Sequence, residues 1–271
     1  MRPYLAVISA RFRTLLQYRG AALGGIGTQA FFGMVRLMIL EGFYRSSTTA
    51  PSLSFPEMVG YVWLGQATFA MQPYNLDRDV RAMVQNGTIA YELVRPLDLF
   101  AFWYSRAVAW RTAPMVLRLL PMLLLAAVVL PLVGLEEWAL RAPPSLGAGA
   151  AWLLTMIGAL AVSAAITTIM SVLMVWTLSG EGLAVLFSGV VSLLSGMIIP
   201  LPLFPSWMQP LLRWLPFSAL MDLPARVYTG DIPTGQVGGV LLHQLAWTVG
   251  LFWGGRWLLR RATRRLVVQG G

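Results

Sequence analysis

The residues able to do chemistry in this chain are few and concentrated. Between Asn75 and Asp98 stand Asp77, Arg78, Asp79, Arg81, Glu92 and Arg95, a mixed-charge stretch in a chain only 11% charged. Asp77 and Arg81 are spaced i,i+4 in the acid-to-base order that supports a short helix. Asn86-Gly87 interrupts the stretch: Gly87 is able to end one helix, and Pro96 to end or redirect the piece that follows. Such a stretch is either a solvated loop or a docking surface for a soluble partner.

Other chemistries are bounded by what the chain lacks. It has no lysine, so it has no phosphate-binding loop of the Gly-x-x-x-x-Gly-Lys-Ser/Thr kind. Any ATP-driven step must therefore use a site on another polypeptide. With no cysteine there is no disulfide, thiolate metal site or cysteine nucleophile, and no metal site is expected. The sole histidine, His243, with Ser188, Ser192 or Ser195 offers at most a weak hydrolase pairing, because serines in apolar helices more often serve helix packing. All eleven acidic residues fall in expected loops or at the ends of apolar runs. No carboxylate is expected inside a helix bundle to carry a proton, which argues against a proton-coupled carrier. Arg36 is the exception among the charges: it lies within an apolar run, where an arginine either serves function or snorkels to the headgroups.

The elements that must hold these residues are membrane helices. The chain is 57% hydrophobic, against a charged fraction well below the roughly one quarter of a soluble domain. The expected fold is all-α and polytopic, a single transmembrane domain of six spans at 20–43, 58–74, 106–135, 146–176, 183–199 and 237–259. Residues 1–19 read as an interfacial helix, with Leu5, Ile8, Phe12, Leu15 and Leu16 opposite Arg2, Ser9, Arg13 and Gln17. Arginines early in this stretch leave no apolar core for a cleavable leader, so the start is expected to be retained. Residues 200–228 are apolar but broken by Pro200, Pro202, Pro205, Pro210, Pro216 and Pro224, which excludes one continuous helix. Short re-entrant pieces at the membrane surface fit, with Trp207, Trp214 and Phe217 as interfacial anchors.

The net charge of +9 comes from arginines that flank apolar runs, which favours a membrane surface over nucleic acid. Most of them lie in the N-terminal stretch, in 75–118 and in the tail. The positive-inside rule places these regions, and both termini, in the cytoplasm and the 200–228 segment outside.

Two local patterns carry a resemblance. One is Gly87-Thr88-x-x-Tyr91-Glu92-Leu93-x-Arg95-Pro96-Leu97. The other is Ser195-Gly196-Met197-Ile198-Ile199-Pro200, followed by Phe204-Pro205-x-Trp207 and Leu215-Pro216-Phe217-Ser218. Together with the order of spans, they make the whole chain resemble the membrane-spanning permease of type-2 ABC exporters, of the kind often encoded as a pair with one ATPase. The resemblance implies a bacterial inner-membrane subunit without enzymatic activity or cofactor of its own. It implies a second permease, identical or a sister, and cytoplasmic ATPases that bind ATP and Mg. Residues 75–98 would be the coupling segment, with Asp77, Arg78, Arg81, Asn86, Gly87, Glu92 and Arg95 as the candidate docking residues. The turn with Gly180 and Glu181 would be a minor cytoplasmic contact, and Pro205, Trp207, Trp214, Pro216 and Phe217 would belong to the outer re-entrant helices. The substrate is expected to be hydrophobic or amphipathic. The competing readings are an ATP-independent channel or secondary carrier, and a membrane-embedded enzyme.

Overall fold

Where apolar residues run on without charge, the backbone satisfies its own polar groups, and in lipid a helix does so within one segment. The computed structural model, which describes residues 2–17, 19–47, 52–177 and 181–264, is helical almost throughout and has no strand among those residues. In chain order the helices are α1 (Arg2–Leu16), α2 (Arg19–Ser46), α3 (Phe55–Thr68), α4 (Arg78–Gln85), α5 (Ala90–Leu93) and α6 (Leu99–Leu124). A π-helical stretch, Leu125–Val129, carries α6 into α7 (Leu130–Leu132). Then follow α8 (Leu146–Thr177), α9 (Glu181–Leu194), α10 (Gln209–Trp214), α11 (Asp222–Thr229) and α12 (Val237–Thr263).

Among the described residues, three stretches are long and apolar enough to cross a membrane: Leu99–Leu132, Leu146–Val175 and Thr234–Thr263. Shorter or more polar helices, α2, α3 and α9, complete the apolar set. The α6 helix starts at Leu99, ahead of the expected span start at 106, because Asp98 caps it by accepting from Ala101 N at 2.9 Å. The α9 helix stops at Leu194, short of the expected 199, and Gly196 then turns the chain at φ +84°. The proline-rich stretch is broken as expected, into a 3-10 turn at Leu201–Leu203 and the short helices α10 and α11.

The main core is built around α3, whose Met58, Val59, Val62, Trp63 and Leu64 are buried among α2, α6, α8 and α11. Trp63 donates to the Trp138 carbonyl at 2.8 Å, and Trp138 to Glu41 at 3.0 Å, so both indole N–H groups are satisfied. A second cluster, with Val80, Ile89, Phe100, Trp103, Val175 and Leu259, joins α4 and α5 to α6, α8 and α12. The outside of the bundle is apolar instead of charged, with Phe31, Phe43, Leu132, Leu146, Ile157, Leu242 and Trp253 all more than half exposed. Apolar surface on that scale belongs against lipid or another subunit.

Candidate coupling segment and its anchor

The Asn75–Asp98 segment mixes acids and bases, and the fold splits it into two faces. Gly87, at φ +71°, makes the left-handed turn that ends α4 and starts the approach to α5. The resulting bend points one side of both short helices at α6 and leaves the other free.

On the inner side, Val80 and Ile89 enter the apolar cluster, and Asp77 and Glu92 are 5% and 6% exposed. Their counter-charge is Arg106 of α6, itself 7% exposed. Its Nη2 lies 3.2 Å from Asp77 and 3.3 Å from Asp79, and its Nη1 lies 3.3 Å from Glu92. Arg11 of α1 adds contacts at 3.2 Å to Asp77 and 2.6 Å to Asp79. Trp103 Nε1 donates to the second Glu92 oxygen at 2.6 Å. One guanidinium thus spans two segments through its forked donors, a geometry lysine lacks. A few residues on, Arg111 is 2% exposed and holds Asn75 through its side chain (2.8 Å) and carbonyl (2.7 Å), and Thr167 of α8 at 3.1 Å. Asp98 closes the arrangement with Arg256 of α12 at 2.9 Å. The segment is therefore bolted to α1, α6 and α12 by charge-assisted bonds, and Arg111 of α6 links it on to α8.

On the outer side, Arg78, Asn86, Gly87 and Arg95 are exposed, with Arg81 half-buried. Arg95 sits over the Phe102 ring at 5.5 Å. Among them lie two apolar side chains with no core role, Tyr91 at 73% and Val94 at 80% exposure. Of the candidate docking residues, then, Arg78, Asn86, Gly87 and Arg95 are exposed and Arg81 is half-buried, whereas Asp77 and Glu92 turn into their own chain. Sequence reasoning took Asp77 and Glu92 as surface groups and counted Arg106 and Arg111 only among the arginines of 75–118 that mark the cytoplasmic side. A usable signal was present: Trp103 and Arg106, spaced i,i+3, put a donor and a cation on one helix face beside an acidic neighbour segment.

The remaining candidates are spread elsewhere. Gly180 lies outside the described residues, and Glu181 is the first residue of α9. Pro205, Trp207 and Trp214 are exposed, the two tryptophans at 76% and 65%; Pro216 is buried and Phe217 half-buried. Trp214 packs edge-to-face on Trp247 at 5.2 Å, and its carbonyl accepts from Trp247 Nε1 at 2.8 Å. His243 meets Ser218 at 3.5 Å, not Ser188, Ser192 or Ser195, and the Ser218 hydroxyl is directed at the Arg213 and Leu215 carbonyls. That leaves no poised nucleophile at His243. Among the described residues no group of three potential ligands gathers as a metal site.

The expectation that every carboxylate lies outside the bundle is corrected by Asp222. It is fully buried, accepts from Tyr61 Oη at 2.9 Å and pairs with Arg226 at 3.5 Å, while Arg226 also bonds Asp231. The break at residues 200–221 folds the start of α11 inward onto α3, which linear charge patterning does not reveal. Gly196 packs on this cluster: a Cβ there would overlap Tyr61 Oη, and its φ is already unfavourable for other residues. Gly196→Ala is expected to cost about 1–2 kcal/mol from backbone strain alone. A thermal unfolding midpoint equal to wild type would show that the backbone at 196 relaxes out of the left-handed region as Tyr61 moves aside.

These features define a multi-pass helical membrane protein with an anchored polar segment. The chain matches the family model of the ABC-2 family transporter protein over residues 31–270 and belongs to that family. Proteins of this family are the permease components of ABC transporters and are not themselves the ATPases. No curated protein and no solved structure matches the chain.

Proposed function

We propose that this chain is the permease subunit of an ATP-driven exporter in a bacterial inner membrane, coupled to a separate ATPase through the α4–α5 segment. Family membership supports the permease part. The coupling part is carried by one observation: the segment exposes Tyr91, Val94 and Arg78 on its outer side while buried ion pairs fix its other side to α6. A solvated loop needs no such anchor. A lever does, because force delivered to its outer face must reach the spans without being lost in local bending.

In this reading both termini and the α4–α5 segment are cytoplasmic, α2, α3, α6, α8, α9 and α12 are the six spans, and residues 200–228 lie at the outer surface. Two permeases, identical or sister, pair with two ATPases. ATP binding draws the ATPases together, α4 and α5 move with them, and Arg106 and Arg111 transmit the shift to α6. Export follows if the substrate prefers the inward-facing arrangement, since a two-state device is driven only by differential affinity.

Affinity purification from native membranes tests this. The wild-type chain should bring an ABC ATPase with it, and rigorously pure permease alone should hydrolyse no ATP. Tyr91→Asp with Val94→Asp, both on exposed positions, should reduce the recovered ATPase at least tenfold while leaving permease yield unchanged. Undiminished ATPase recovery from the double variant would remove the coupling assignment. Transport by the ATPase-free permease would favour a channel or secondary carrier instead.

A further inference from the structure

A cleft of about 710 Å³ opens on the outer half of α2, between that helix and the Ile198–Leu203 turn. Its size is that of a site for one small molecule. The walls are apolar, with Ile39 and Phe43 on one side and Ile199 and Leu203 on the other. They are tied together independently of any ligand: Ser52 donates to the Pro202 carbonyl, and Tyr44 to the Leu53 carbonyl at 2.8 Å.

One charge faces this space. Arg36 lines the cleft, and the bond found for it among the described residues is Nη1 to the Met197 carbonyl. A guanidinium has five N–H donors, so most of its capacity is uncommitted. The nearby carboxylates are engaged elsewhere. Glu41 holds Arg45 at 2.6 Å and Trp138, and Asp222 is held by Tyr61 and Arg226. Among the described residues, no acid forms an ion pair with Arg36. A cation without a counter-ion beside an apolar wall is costly in a membrane protein and marks a ligand path. The arrangement lacks an anion and offers hydrophobic surface for the rest of the molecule that carries it.

We propose that this cleft binds lipophilic organic anions, with the carboxylate or phosphate of the ligand on Arg36 and its apolar body between Ile39, Phe43, Ile199 and Leu203. Charge complementarity selects the anion, since Arg36 presents a planar fork suited to two oxygens. The apolar walls select the body. This deepens the permease reading by naming a ligand class for its outer half.

The test uses the full-length permease in nanodiscs of zwitterionic lipid, without any ATPase, so that its outcome is independent of the coupling assignment. A diazirine-bearing dodecanoate and its methyl ester serve as matched probes, and labelled peptides are mapped. The acid should label α2 and the 198–203 turn at least tenfold more than the ester. Arg36→Gln should erase that preference while leaving ester labelling unchanged, and Arg36→Lys should retain part of it. Leu203→Trp, which fills the cleft without touching the charge, should reduce both probes; it keeps the test decisive if Arg36→Gln fails to fold. Equal labelling by acid and ester in wild type, or an undiminished preference in Arg36→Gln, would overturn the proposal. So would efficient cross-linking between single cysteines at Ile39 of two copies combined with no probe labelling, which would make the cleft a subunit contact.

Discussion

Arg106→Ala is expected to destabilise the α4–α5 end of the molecule by about 3–5 kcal/mol, the cost of stripping a buried ion cluster of its cation. Asp77 and Glu92 would be left at 5% and 6% exposure, with Arg11 reaching only Asp77 and the neighbouring Asp79. The lost energy is mainly the penalty of unpaired buried charge, not the worth of the ion pairs themselves, and that distinction is testable. Arg106→Met combined with Asp77→Asn and Glu92→Gln removes the charges together and should restore most of the stability. Arg106→Lys should fall between, because an ammonium lacks the two-pronged reach to both segments. Thermal unfolding followed by circular dichroism reads this. In the proposed coupling role the variant should also release the partner ATPase or uncouple its hydrolysis from transport. A midpoint for Arg106→Ala within the scatter of wild type would mean that water replaces the guanidinium and that the segment is not anchored by charge.

The second large effect is expected at the other end of the molecule. Arg226→Ala should cost a comparable amount, about 3–5 kcal/mol, by leaving the fully buried Asp222 with Tyr61 as its remaining bonded partner. This cluster has a pH signature. Burial pushes the Asp222 carboxyl up to about 6, against the opposing pull of Arg226, the Tyr61 hydroxyl and Arg213. A folded-state value raised above the unfolded one means that the native protein binds the proton more tightly. The corresponding stability is fully present below the unfolded value of 3.8 and is lost as pH rises through about 6. Without Arg226 the carboxyl rises further, so the variant carries a neutral Asp222 over a wider range. The gap in unfolding midpoint between wild type and Arg226→Ala should therefore be widest near pH 8 and shrink toward pH 5. Asp222→Asn in the Arg226→Ala background should abolish that pH dependence. A gap of equal size at both pH values would show that the lost stability comes from Arg226 packing or from its bond to Asp231.

Much of the architecture was legible because its cause is local. Apolar runs of span length, proline breaks between 200 and 228, and the glycine at position 87 each act through the backbone of their own segment, so they can be read one window at a time. The charged groups behaved differently. Asp77, Glu92 and Asp222 all looked like loop carboxylates, and all three are buried. Asp77 bonds Arg106 and Arg11, 29 and 66 positions away, Glu92 bonds Arg106, 14 away, and Asp222 bonds Tyr61, 161 away. An ion pair across such separations leaves no periodicity in the sequence, and the same arginine serves equally well as a positive-inside flank. The two roles differ only in which side of the helix faces the protein.

By itself the sequence determined that the chain is a helical membrane protein, that it has no phosphate-binding lysine, and that one polar stretch between apolar runs is set apart. Composition and hydrophobic run length suffice for these, because the bilayer imposes one solution on every apolar segment. The tertiary structure alone decided which face of that polar stretch is free. It alone brought Arg36 to the edge of an apolar cleft with its neighbouring acids already taken. Both depend on the packing of helices distant in the chain, where the low-dielectric interior makes each charge choose a partner.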